Sequence, residues 1–118
     1  MIKLRTEKLI SECDKHVQRM SYAYTKMALF MPLDPSRYQA LSDDEVEHID
    51  QFLFRFSKLR DAMGEKLFVS MLEFLQEENP KSKPFIDTLN RLEQIGLLED
   101  KNTWLELRKI RNSIAHQY

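Results

Sequence analysis

Glycine and proline are scarce in this chain: two Gly and four Pro in 118 residues. So little turn-forming material, set among long apolar-patterned stretches, argues for a mostly helical fold. Cysteine is scarcer still. The lone Cys13 excludes an internal disulfide framework and any Cys-based zinc site. Its apolar-spaced neighbours suggest a buried thiol in a reducing compartment. No apolar run approaches the ~18 residues that a membrane-spanning helix needs. The N-terminus also lacks the apolar core of a secretion signal. The expectation is a soluble, cytoplasmic protein with no membrane partner. Charge of one sign is missing too: 18 Lys and Arg stand against 19 Asp and Glu, a formal net charge of −1. There is then no global basic field to hold nucleic acid nonspecifically. Any RNA or nucleotide site must be a local patch, such as Lys3-Leu4-Arg5 or Arg108-Lys109-Ile110-Arg111.

What is present is enough for one domain. Apolar residues make up 42% of the chain, and 118 residues can bury a core without covalent staples. Ile10, Cys13, Val17, Met20, Tyr24, Met27 and Met31 recur at alternating spacings of three and four, predicting a long amphipathic helix with one apolar seam. That seam is expected in the core, with part of it a candidate dimer interface. Pro32 and Pro35 end the helix in a short loop through about residue 39.

Ser42-Asp43-Asp44-Glu45 reads as a capping box, and its acids suit the positive end of a helix dipole. Val46, Ile49, Phe52, Leu53, Phe56, Leu59 and Met63 follow one face from there. Gly64 is placed to kink or briefly interrupt this helix. Leu67, Phe68, Met71, Leu72 and Leu75 continue the pattern to a turn at Asn79–Pro84. Pro84 is expected to begin the next helix, marked by Phe85, Leu89, Leu92 and Ile95, with Gly96 as its C-terminal cap. Asp100 or Asn102 can cap a last helix carrying Trp104, Leu107, Ile110 and Ile114. The fold class expected is all-α, an antiparallel bundle of four to five helices forming a single domain over residues 1–118.

The densest chemistry lies in the last eight residues, Arg111-Asn112-Ser113-Ile114-Ala115-His116-Gln117-Tyr118. Arg grips a phosphate through a planar fork, and His moves a proton near neutral pH. On a helix that advances about 100° per residue, Asn112 and His116 share one face, and Arg111 and Tyr118 share another. Arg111 and His116 diverge by roughly 140°. One straight helix therefore aims them poorly at a single phosphate. Either the helix loosens near His116, or a two-fold dimer brings Arg and His from two chains around one cleft, which is the favoured arrangement. Arg111 would then stabilise the extra charge of a pentavalent transition state, and His116 would serve as general base on a ribose 2′-OH or as general acid on the leaving oxygen. Asn112 would orient the imidazole or bind the sugar. This chemistry requires RNA and needs no metal or other cofactor. A structural reading is also open, because a cation near a helix C-terminus is a favourable dipole partner with no further role.

Arg-Asn-x-x-x-His-x-Tyr at the end of an all-helical body resembles the HEPN superfamily. Within it, the motif is similar to that of the HepT toxins of HEPN–MNT toxin–antitoxin pairs. Arg111, Asn112, His116 and Tyr118 match it. Arg55–Gly64 also resembles the second helix of such domains. The resemblance implies a HEPN-like bundle and a metal-independent endoribonuclease toxin acting as a homodimer on RNA, a hydrolase with Arg111 and His116 catalytic and Asn112 supporting. It further implies a minimal nucleotidyltransferase (MNT) antitoxin that transfers AMP to Tyr118, adding charge and bulk beside the cleft. A second implication is a catalytically inactive HEPN protein that binds a nucleotide or is simply the nucleotidyltransferase's substrate. The family usually continues past the motif, so a C-terminal helical segment is expected to be missing from these 118 residues.

Other clusters are weaker. Asp44, Glu45 and His48 fall within about a turn, but an acidic helix start with a solvated His explains them, and no metal site is expected. Arg55, Lys58 and Asp61 form a stripe at i, i+3 and i+6, either solvated or a second wall of the cleft. Arg55, Lys58 and Arg108 are the candidate RNA contacts. His16 is expected at the surface, and Trp104 as the anchor of the last helix.

Overall fold

Ser42 opens the central helix of the bundle by the reciprocal bonding its sequence predicts. Its Oγ accepts from the Glu45 backbone N–H at 3.2 Å, and its own N–H donates to Glu45 Oε1 at 2.9 Å. In the computed structural model, which describes residues 1–78 and 80–117 (backbone only at 117), every element is helical. α1 runs Ile2–Met27, α2 Pro35–Gln39, α3 Asp43–Asp61, α4 Phe68–Phe74, α5 Phe85–Gln94 and α6 Lys101–Gln117. A π-helical stretch, Ala62–Leu67, joins α3 to α4 without a break. Among the described residues there is no strand, and no helix is long and apolar enough to cross a membrane.

α1 packs antiparallel along the α3–α4 rod. Thr6 meets Ser70 at one end, His16 meets Arg55 in the middle, and Tyr24 meets Phe52 at the other. The Thr6 hydroxyl donates to the Ile2 carbonyl at 2.8 Å, so its single proton is used and Ser70 donates to it across the buried 2.6 Å contact. Arg5 and Glu73 form an ion pair at the same end. The result is a rod of 53 × 26 × 23 Å.

The core lies toward the α4 end, where α5 and α6 close over it. Phe68, Leu72, Leu89, Leu92 and Trp104 are buried together, and the Phe68 and Trp104 ring centroids are 4.8 Å apart. α5 ends as expected, with Gly96 at φ +81°; the Gly96 N–H reaches the Glu93 carbonyl and the Leu97 N–H reaches back to Leu92. Asp100 starts α6, its Oδ1 accepting from the Asn102 N–H at 2.9 Å.

Three expectations change. The α1 seam is displaced: Cys13 and Met27 are buried and Met20 half-buried, but Ile10, Val17, Tyr24 and Met31 are exposed. The buried face instead carries Thr6, His16 and Ala23, because the small Thr6 and Ala23 side chains let the α3–α4 rod approach closely. No described element covers the other flank. The chain after Pro32 is not all loop, since Pro35 opens α2 and Asp34 caps it, accepting from the Arg37 N–H at 2.8 Å. His16 is half-buried and not at the surface, with Arg55 Nη1 donating to its Nδ1 at 3.1 Å.

Gly64 sits inside the π stretch and interrupts the α-helical bonding without ending the helix. A Cβ there would stand 3.4 Å from Arg60 Nη1 and Trp104 Cζ2, and 3.5 Å from Phe85 Cε2. One methyl fits in ordinary contact and a larger side chain does not. Gly64→Ala is expected to stay within about 1 kcal/mol of wild type, whereas Gly64→Leu is expected to lose about 1–3 kcal/mol by overpacking. Urea unfolding midpoints check this, and equal midpoints for the two variants would contradict the crowding.

Candidate functional site

α6 carries the Arg-Asn-x-x-x-His segment as a regular α-helix through Gln117. It packs antiparallel to α3, which sets its C-terminal half beside the middle of that helix. Trp104 lies against Gly64, and seven residues on, the same side of α6 brings Arg111 to Asp61 at the end of α3. Arg111 Nε donates to Asp61 Oδ1 at 2.9 Å and Nη2 donates to Oδ2 at 2.8 Å. This parallel two-bond fork is the strongest geometry available to the two groups. Both side chains are about a quarter exposed, at 26% and 28%.

The fork closes one end of a cleft of about 420 Å³ between α3 and α6. Leu53, Phe54 and Ile114 make its walls apolar, while Asp50, Lys58, Asp61 and Arg111 supply its charge. Two of the five guanidinium N–H groups of Arg111 are engaged by Asp61, leaving three to meet an anion. The hydrogen bond from Arg111 holds the Asp61 carboxyl below the ordinary carboxylate range, against the opposing effect of burial. The same bond raises the proton affinity of Arg111, so the pair stays ionised.

The candidate residues do not all meet here. Arg111 and Lys58 line the cleft; His116 and Asn112 are exposed and do not line it. Because α6 stays regular, the loosening that would swing His116 toward Arg111 in one chain is not present. Arg55 turns to His16 on α1. Arg108, three residues before Arg111 on the same helix, lies over Phe85 with its guanidinium 5.0 Å from the ring centre and does not line the cleft. Tyr118 lies outside the described residues. Glu45 is engaged in its helix cap, and among the described residues no three His, Cys, Asp or Glu side chains are grouped to hold a metal ion.

Asp61, which in sequence forms one stripe with Arg55 and Lys58, is the partner of Arg111, a pairing the stripe does not indicate. The available signal was its sign, the one acid in a basic stripe. Pairing it with a residue fifty positions away needed the α3–α6 register. Compared with models of protein families, with curated proteins and with solved structures, the chain matches none of them.

The depressed Asp61 value has a definite consequence for stability. Its contribution is complete above the unfolded carboxylate range near pH 4 and is lost as pH falls through the lower folded value. Asp61→Asn is expected to flatten this acid limb, and Asp61→Ala to cost about 1–3 kcal/mol at pH 7. Denaturant unfolding from pH 2 to 7 measures both; an unchanged acid limb in Asp61→Asn would show that the pair contributes nothing to it.

Proposed function

We propose that this protein is a metal-independent endoribonuclease of HEPN type, the cytoplasmic toxin of a toxin–antitoxin pair, working as a homodimer. The observation that carries this reading is the placement of Arg111, fixed by Asp61 at the end of an open cleft with three N–H groups to spare. An arginine preset in this way loses little freedom when it meets a phosphate. Exposed His116, pointing away on the same helix, completes such a site when a second copy crosses this α6. Apolar cleft walls and half-exposed Phe54 and Ile110 suit contact with that copy.

In this mechanism His116 takes the proton of a ribose 2′-OH. The 2′ oxygen bonds to phosphorus, the bond to the 5′ oxygen breaks, and a proton returns to the leaving oxygen. Arg111 stabilises the charge on the pentavalent phosphorus, Asn112 supports the imidazole, and Lys58 contacts the RNA backbone. A minimal nucleotidyltransferase antitoxin would silence the enzyme by moving AMP from ATP to Tyr118 with release of pyrophosphate. The second reading, a catalytically inactive HEPN protein that binds nucleotide or serves as the transferase's substrate, is favoured by one observation: the Arg111 fork already closes on a carboxylate.

Expression of wild type and His116→Ala without an antitoxin separates the two. The nuclease reading expects growth arrest and RNA cleavage by wild type, and cleavage slowed by about 10²–10⁴-fold in the variant. Equal cleavage and equal toxicity would sink it. ATP-dependent mass gain on Tyr118 in a protein without nuclease activity would establish the second reading.

A further inference from the structure

Between α6 and the start of α5 lies a second pocket, of about 320 Å³. Four cations line it: Arg60 from α3, Lys81 and Lys83 from the turn before α5, and Arg108 from α6. Glu65 is the one carboxylate in its lining. Lys81 is drawn partly away by Glu73 at 3.8 Å, which also pairs with Arg5. Lys83 and Arg108 form no ion pair with a described residue, although Arg108 lies over the Phe85 ring.

Arg60 is the unusual member. It is 8% exposed, and its Nε is buried without a hydrogen-bond partner. Its guanidinium is held over the rings of Phe85 and Trp104 at 5.4 and 5.5 Å. The nearest carboxylate, Asp61, stands 3.8 Å from Nη1, beyond hydrogen-bond range, and is committed to Arg111. Burial, and then the neighbouring Arg108 and Arg111, work against the charge of Arg60, while Asp61 and Glu65 favour it; the net effect is against the charge. A buried guanidinium without a full hydrogen-bond set, beside another uncompensated cation, is costly unless an anion joins it. α5 begins at this pocket with no side-chain cap, and Asp87 in its first turn offsets part of the positive end of its dipole.

The geometry points to this pocket as a phosphate-binding site, in which Arg60 and Arg108 grip the phosphate group of a ligand and Lys83 closes over it. The volume admits a phosphate with a modest organic group attached. Phosphate from a small metabolite and phosphate from an RNA backbone share this chemistry. The site is separate from the catalytic pair of the nuclease reading, because neither Arg111 nor His116 lines it, although it takes in Arg108, a candidate RNA contact.

Calorimetric titration with inorganic phosphate, at ionic strength held constant with sodium chloride, tests the site on the whole chain. The fluorescence of Trp104, the chain's single tryptophan, provides a second readout. Wild type is expected to bind saturably. Arg108→Gln changes an exposed side chain, so the fold is not at risk, and it should weaken binding by at least about tenfold. Lys8→Gln, exposed and outside the pocket, should leave binding unchanged. Repeating the titration with a 2′-O-methylated RNA oligonucleotide already bound separates the sources: competition assigns the site to backbone phosphate, and undiminished phosphate binding assigns it to a small ligand. No saturable binding by wild type, or equal binding by Arg108→Gln, would overturn the proposal. Because no cleavage is measured, failure here is distinct from failure of the His116 experiment.

Discussion

The burial of Trp104 against α3–α4 is the contact on which the functional geometry depends. Its ring packs on Phe68 and reaches Gly64, where the absence of a side chain gives it room. That contact sets both the distance and the register of α6 on α3. Arg111, on the same side of α6 two turns later, reaches Asp61. Each of the two pockets lies along one flank of the seam so formed. A bulky aromatic at a helix seam contributes more than apolar area, because it fixes where charged neighbours must stand.

Around this seam the charges are unequal. Asp61 sits among Arg60, Arg111 and Lys58, and its two oxygens go to Arg111. A single carboxylate can complete only one bidentate pair. Arg111 is therefore well compensated and oriented, while Arg60 relies on aromatic faces. Cation–aromatic contacts offset part of the desolvation of a guanidinium but do not replace hydrogen bonds to its N–H groups. The two cationic sites consequently differ in kind: one is an arginine held ready by its partner, the other an arginine short of partners.

Much of the local structure is legible in the residues themselves. The Ser42–Glu45 box, the Gly96 helix end and the Asp100 cap each depend on atoms within a few positions, so local sequence is sufficient to specify them. Gly64 is legible as an interruption, though not as a π-helical stretch, because the rings that crowd it come from α5 and α6. The α1 seam is half legible. Periodicity defines an apolar side of a helix, but which edge of that side is buried depends on where the neighbouring helix finds small residues, here Thr6 and Ala23.

By itself the sequence determined an all-helical chain, the start and stop of most helices, and the angular divergence of Arg111 and His116. All three follow from bonding and periodicity within one helix. Only the tertiary structure decided that Asp61 holds Arg111, that Arg108 lies over Phe85, and that Arg60 is buried over two rings. Those contacts join residues far apart in the chain. Their partners are selected by helix register, which follows from packing volume and not from any short motif.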